Sequence, residues 1–204
     1  MRQKFFILFI LIQTTASAQS KLSFKINNDS LKKIGIDTFF IYKNYCVGCK
    51  NGITIDRNAT KNEIYEKWCE ASDPVFIFYK NQGNIYVNKS NDCCNYKPIR
   101  LDTSPTFSYF LKWFTELFNE NVLTNSFLSE KGDSIKTYQQ HGIVTEMYLS
   151  NGRKKELTVD GYDFSEKSMT DKNNINYDHN MKTKYLQLRE LTFEELEKLK
   201  FSKK

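Results

Sequence analysis

The chain is 204 residues long with a formal charge of +6 at neutral pH, and that length holds one domain, or two small ones, around a real hydrophobic core. Its Lys and Arg residues are scattered among Asp and Glu and gather into no stripe, which excludes the electrostatic footprint of a nucleic-acid-binding protein. No stretch is apolar for long enough to form a membrane span.

Residues 1–18 read as a secretory signal peptide. Arg2 and Lys4 make a basic start, Phe5 to Ile12 a short apolar run, and Ala16-Ser17-Ala18 a small-residue cleavage site ahead of Gln19. Cleavage after Ala18 predicts a secreted or periplasmic protein of 186 residues, its charge lowered to +4 by the loss of Arg2 and Lys4. No cysteine follows that site to carry a lipid.

Lys21 to Asn27 alternates as a strand, and Asp29 to Gly35 reads as a turn or two of helix closed by its glycine. Asp37 to Asn44, rich in aromatic and branched residues, is a strand that runs into Cys46-Val47-Gly48-Cys49. A further short strand is expected at Ile53 to Asp56. Thr60 and Glu63 have the spacing of a capping box, so a helix is expected over 61–71, with Ile64, Trp68 and Tyr65 turned to the core. Asp73-Pro74 stops it.

Val75 to Tyr79 and Asn84 to Val87 read as a hairpin around Asn81-Gln82-Gly83, its first strand apolar throughout and so central. A polar connector to Pro98 leads to a short strand at Ile99 to Leu101. Ser104 to Leu123 carries the densest aromatic face: Ser104 can cap a helix, Pro105 suits its first turn, and Phe107, Phe110, Leu111, Phe114, Leu117 and Phe118 recur at helical spacing. Such a face reads as a core helix on a sheet. The alternative, a ligand groove or membrane-surface helix, is disfavoured by Glu116 and Glu120 opposite, and Lys112 with Glu116 reads as a surface pair.

A seam between two halves falls at 119–132. Beyond it, Ser134 to Gln139 is a candidate strand, and Ile143 to Leu149 with Lys155 to Tyr162 form a hairpin whose Asn151-Gly152 suits a two-residue turn. Ser165 to Lys182, polar and rich in Asn, Asp and Lys, reads as a long exposed loop. Lys184 to Leu188 is expected as a last strand, and Thr192 with Glu195 as the opening of a final helix through Leu196 and Leu199. The pattern predicts an α+β fold: a mostly antiparallel sheet built from hairpins, with two to three helices packed on one face, as a single domain over 19–204.

Five cysteines survive export: Cys46, Cys49, Cys69, Cys93 and Cys94. An oxidising compartment makes them disulfide candidates, and a bridge from the Cys46/Cys49 loop to Cys69 or to the Cys93/Cys94 connector is the leading reading. A zinc site is disfavoured because adjacent Cys93 and Cys94 do not ligate one ion comfortably. The aromatic strand leading into the Cys46/Cys49 pair, together with Asp73-Pro74-Val75-Phe76-Ile77-Phe78-Tyr79-Lys80-Asn81, resembles the thioredoxin family. That resemblance implies a redox pair, Cys46 as nucleophile and Cys49 as resolving thiol. The chain departs from the family where Cys49 is followed by Lys50-Asn51-Gly52 rather than a helix, and where only 25 positions separate Cys49 from Pro74.

Neither His141, at a strand start, nor His179, beside Asp178, belongs to a recognisable catalytic motif. Asp171 to Asn180 offers oxygen ligands but lacks the glycine and terminal glutamate of a calcium loop. The reading is therefore an exported, disulfide-stapled protein that binds a protein or small ligand without catalytic chemistry, metal or cofactor. Its recognition surface is expected at hairpin ends and the 165–182 loop. The alternative is a periplasmic thiol-disulfide oxidoreductase using Cys46 and Cys49.

Overall fold

The structure, a computed structural model, describes residues 31, 33, 35–36, 38–46, 58–91, 94, 96–137, 141–148, 152–168 and 170–203, with the backbone alone at 44–46, 66, 68–71 and 141. The signal peptide, the strands expected at Lys21–Asn27 and Ile53–Asp56, Cys49 and Cys93 lie outside these residues. In the short unit before residue 38, Leu31 and Lys33 are helical, and the Ile36 N–H donates to the Leu31 carbonyl at 2.9 Å around Gly35, whose φ of 79° favours glycine.

From Thr38 onward the chain forms an α+β fold. Six strands make one antiparallel sheet in the order β4-β3-β2-β1-β7-β8: β1 Phe39–Cys46, β2 Val75–Asn81, β3 Asn84–Ser90, β4 Ile99–Leu101, β7 His141–Tyr148 and β8 Lys154–Asp160. Between them, β5 Ser126–Leu128 and β6 Ser134–Lys136 pair as a separate hairpin. Helix α1 spans Lys61–Ala71, α2 Pro105–Asn119, the short α3 Tyr177–Asn180 and α4 Lys184–Glu197. Strand β1 is central, paired with β2 on one side and β7 on the other, so strands from both sides of residues 119–132 share one sheet.

The local signals explain most of these elements. Thr60 and Glu63 close their box, the Thr60 N–H donating to Glu63 Oε2 at 2.7 Å and the Glu63 N–H to Thr60 Oγ1 at 3.3 Å. Tyr65, expected in the core, is instead 55% exposed. The β2–β3 hairpin turns on Gln82 and Gly83 at φ 47° and 83°, the left-handed pair that a tight hairpin turn requires. β7 and β8 pair from Gly142 opposite Asp160 to Tyr148 opposite Lys154, the hairpin expected here, while Leu149 and Asn151 of its turn lie outside the described residues.

Side chains alternate across the sheet. On one face Phe40, Phe78, Val87, Met147, Leu157 and Val159 meet Phe107, Phe110 and Leu117 of α2 and Tyr185 and Leu188 of α4. Phe40 stacks on Phe78 with ring centroids 4.6 Å apart and lies 5.1 Å from Phe110. The opposite face of the central strands is also buried, at Phe39, Ile41, Val75 and Ile77. Ser104 caps α2 by accepting from the Phe107 N–H at 3.0 Å, while Leu111, read as part of the apolar stripe, lies at the surface. Lys112 lies over the Trp113 ring, 5.0 Å from its centroid, rather than pairing with Glu116.

Two expectations fail for one reason. Lys184–Leu188 is not a strand but the opening of α4, whose cap is Thr183 (its hydroxyl accepts from the Leu186 N–H at 3.4 Å), not Thr192. Thr192 is buried mid-helix, its hydroxyl donating to the Leu188 carbonyl at 2.6 Å. The buried stripe of α4 runs Tyr185, Leu188, Thr192, Glu195, and its two polar members conceal the helical period.

The 165–182 segment is not a free loop. Ser168, Asn174 and Asn180 are buried within it, and their side chains satisfy backbone groups. Asn180 donates to the carbonyls of Leu123 (2.7 Å) and Asp163 (2.6 Å) and accepts from the Leu123 N–H (2.8 Å). Asn174 holds the Ser126 N–H and the Ser165 carbonyl, and Asn176 the Thr124 carbonyl. Asp163 accepts from the N–H groups of Asn125 and Asp160, and burial raises its pKa above the usual carboxylate range.

Asn180→Ala removes all three bonds and leaves buried backbone groups unpaired, so it should cost about 3 kcal/mol in urea unfolding. Asn173→Ala, at an exposed position of the same segment, should change stability by less than about 0.5 kcal/mol.

Candidate functional site

Tyr42 lies on the α4-facing side of β1, directly opposite Thr145 of β7. Thr145 and Tyr185 are both fully buried and share a hydrogen bond at 2.7 Å between their hydroxyls, which fixes the first turn of α4 over these strands. Arg189 follows Tyr185 by four positions and so projects over the same strands. Its guanidinium carbon lies 5.4 Å from the centroid of the Phe164 ring, supplied by the 3₁₀ turn Gly161–Phe164.

Between β1, β7 and α4 lies a cleft of about 420 Å³ lined by Tyr42, Ile143, Arg189, Glu190, Phe193 and Glu194, within the size range of small-ligand sites. Ile143, two positions before Thr145, forms its apolar floor, and Phe193, 55% exposed, its outer wall. Glu190 and Glu194, both exposed, stand at the mouth.

The electrostatics are asymmetric. Among the described residues no acceptor or carboxylate pairs with the Arg189 guanidinium, whose recorded contact is the Phe164 ring. Tyr42 is only 4% exposed, and its hydroxyl likewise has no hydrogen-bond partner among the described residues. Burial raises the Tyr42 pKa, and the nearby Arg189 charge pulls it partly back. Burial raises that of Tyr185 further. The two lysines at the start of β8 are engaged. Lys155 donates to the carbonyls of Leu117 (3.1 Å), Phe118 (2.9 Å) and Glu120, and Lys154 pairs with Glu146 at 2.8 Å.

On the other flank of α4 a hollow of about 290 Å³ is lined by Leu101, Pro105, Leu191, Glu195 and Lys198 among others. Glu195 uses one oxygen, Oε2, to accept from the Ser104 hydroxyl at 3.0 Å and the Thr106 N–H at 3.1 Å. Its other oxygen and the Thr106 hydroxyl are buried without a protein partner.

The sequence candidates lie elsewhere. Cys46 ends β1 opposite His141, Cys69 lies in α1, and half-buried Cys94 carries a free thiol, its N–H donating to Asn91 Oδ1 at 2.7 Å. Among the described residues no disulfide is formed and no group of three or more His, Cys, Asp or Glu is placed to hold a metal. Asn174, Asn176 and Asn180, imagined as oxygen ligands, are committed to backbone groups, and Asp171 pairs with Lys167 at 2.8 Å. His179 contacts the Asn121 carbonyl at 3.0 Å. No described helix is long and apolar enough to cross a membrane.

Sequence reasoning missed both Tyr42 and Arg189. Tyr42 was one aromatic in an aromatic strand, and Arg189 fell between the expected strand and helix. No protein-family model matches the chain, and neither a curated protein nor a solved structure shows a match to it.

Because the folded-state pKa of Tyr42 lies above the ordinary 10.0, its contribution to stability is complete below about pH 10 and is lost as pH rises through the folded value. Wild-type stability should therefore fall more steeply above pH 10 than that of Tyr42→Phe. In Arg189→Met the Tyr42 phenol should ionise at still higher pH, read as the phenolate absorbance that Tyr42→Phe removes.

Proposed function

We propose that this chain is an exported binding protein that captures a small ligand in the cleft between α4 and strands β1 and β7, without covalent chemistry. The observation that carries the reading is the cleft itself: a cavity of ligand size into which a guanidinium lying over the Phe164 ring and the hydroxyl of a largely buried tyrosine both open without a partner among the described residues. The signal-like residues 1–18 support export to the periplasm or beyond, and the five cysteines support a disulfide staple in the first half of the chain. Ser168, Asn174, Asn176 and Asn180 of the 165–182 segment are spent on internal bonds, which favours the cleft over that segment as the recognition surface.

Ligand-observed NMR with a fragment library should find binders whose signals respond to the purified chain. Glu190→Trp, which fills the mouth from an exposed position, should abolish their binding while leaving the melting temperature within about 2 °C. Binders that ignore this substitution would remove the reading. Thiol alkylation before and after reduction addresses the redox alternative. The binding reading expects Cys46 and Cys49 in structural bridges that resist mild reductant, and a Cys46–Cys49 pair that is readily reduced and reoxidised would favour the oxidoreductase instead.

A further inference from the structure

The cleft has a chemical sense. Its two inner polar groups are hydrogen-bond donors, while the carboxylates of Glu190 and Glu194 stand apart at the mouth. A guanidinium offers a planar fork of N–H groups, and here it lies over the Phe164 ring, 5.4 Å from the centroid, which holds it beside the cleft. Both donors open into the cleft with no acceptor opposite them among the described residues, so an acceptor is what the cleft would complement. The Tyr42 phenol, like any tyrosine near neutral pH, is protonated and so can donate, and burial pushes its ionisation further upward.

We infer that the cleft binds a small organic carboxylate, its anionic group held by the Arg189 fork and the Tyr42 hydroxyl and its apolar body seated on Ile143 against Phe193. A single anionic charge suits the site better than two. One cation faces the ligand while two carboxylates flank the entrance, and a phosphate dianion would meet their repulsion. An apolar body is required because the remaining floor offers a branched aliphatic and an aromatic ring, and little else to grip a bare ion.

This assignment rests on the cleft being the binding site, and calorimetric titration of the purified chain with phenylacetate, phenylacetamide and inorganic phosphate separates the two. Phenylacetate should bind at least about 10-fold more tightly than its uncharged amide, the difference expected from charge-assisted hydrogen bonds, and phosphate should give no measurable heat. Arg189→Met should bind phenylacetate no better than the wild type binds the amide, Arg189→Lys should fall between, and Tyr42→Phe should lose about 5-fold. If the Arg189 variants melt early, the acid and amide compared on the wild-type chain decide alone.

Equal affinity for acid and amide, phosphate binding more tightly than phenylacetate, or wild-type affinity in a folded Arg189→Met would each overturn the carboxylate assignment. Absence of phenylacetate binding would overturn it too. If library fragments still bind and are lost in Glu190→Trp, the cleft remains the ligand site and only its chemical class is wrong. If no fragment binds there, both readings fall.

Discussion

Helices α2 and α4 hold each other by an exchange of carboxylates. Glu120, just past the end of α2, accepts from the backbone N–H groups of Lys184 (2.8 Å) and Tyr185 (2.5 Å) in the first turn of α4. Glu195, near the end of α4, accepts from Ser104 and from the Thr106 N–H in the first turn of α2. Each acid sits at the wrong end of its own helix, where the dipole is negative, and at the right end of its neighbour, where unpaired N–H groups point outward. The antiparallel pair is thereby locked at both ends, and Lys155 adds a third tie by reaching from β8 into the carbonyls that end α2. Desolvation lowers the pKa of that lysine, while nearby Glu120 partly offsets the effect.

The helix residues that line the cleft inherit their position from this lock. Arg189 lies four residues beyond Tyr185, whose N–H is bound by Glu120 and whose hydroxyl is bound by Thr145. The azimuth of α4 is thus set by two hydrogen bonds of different direction. The cation that gives the cleft its sense cannot rotate away without breaking one of them.

Legibility in the sequence divided along the same line. The start of α2 was readable because a serine, a proline and an apolar stripe agree on it, and the β2–β3 hairpin because only left-handed residues fit its turn. Helix α4 was misread because its inward stripe includes Thr192 and Glu195, polar residues used internally. The 165–182 segment was misread because asparagine counts as a surface residue, whereas here Asn174 and Asn180 act as pieces of interior hydrogen-bonding backbone. Tyr42 and Arg189 carry no spacing signal, since the fold alone brings a strand near the start of the sheet beneath a helix far along the chain. The fold class survived these errors because sheet and core depend on β1, β2, β7 and α2, where local pattern and tertiary role coincide.

After α4 the chain crosses back over the sheet. Phe201 packs near Phe76 and Tyr96, with ring centroids 5.7 and 6.4 Å away, the Lys97 N–H donates to the Ser202 carbonyl at 3.0 Å, and Lys203 bridges to Tyr96. With Glu195 also needed at the start of α2, residues made late in synthesis complete structure made early. A chain ending before them would hold all six strands of the sheet, the last of which ends at Asp160, yet lack the tie from Glu195 to the start of α2 and the cover of Phe201 over Phe76 and Tyr96.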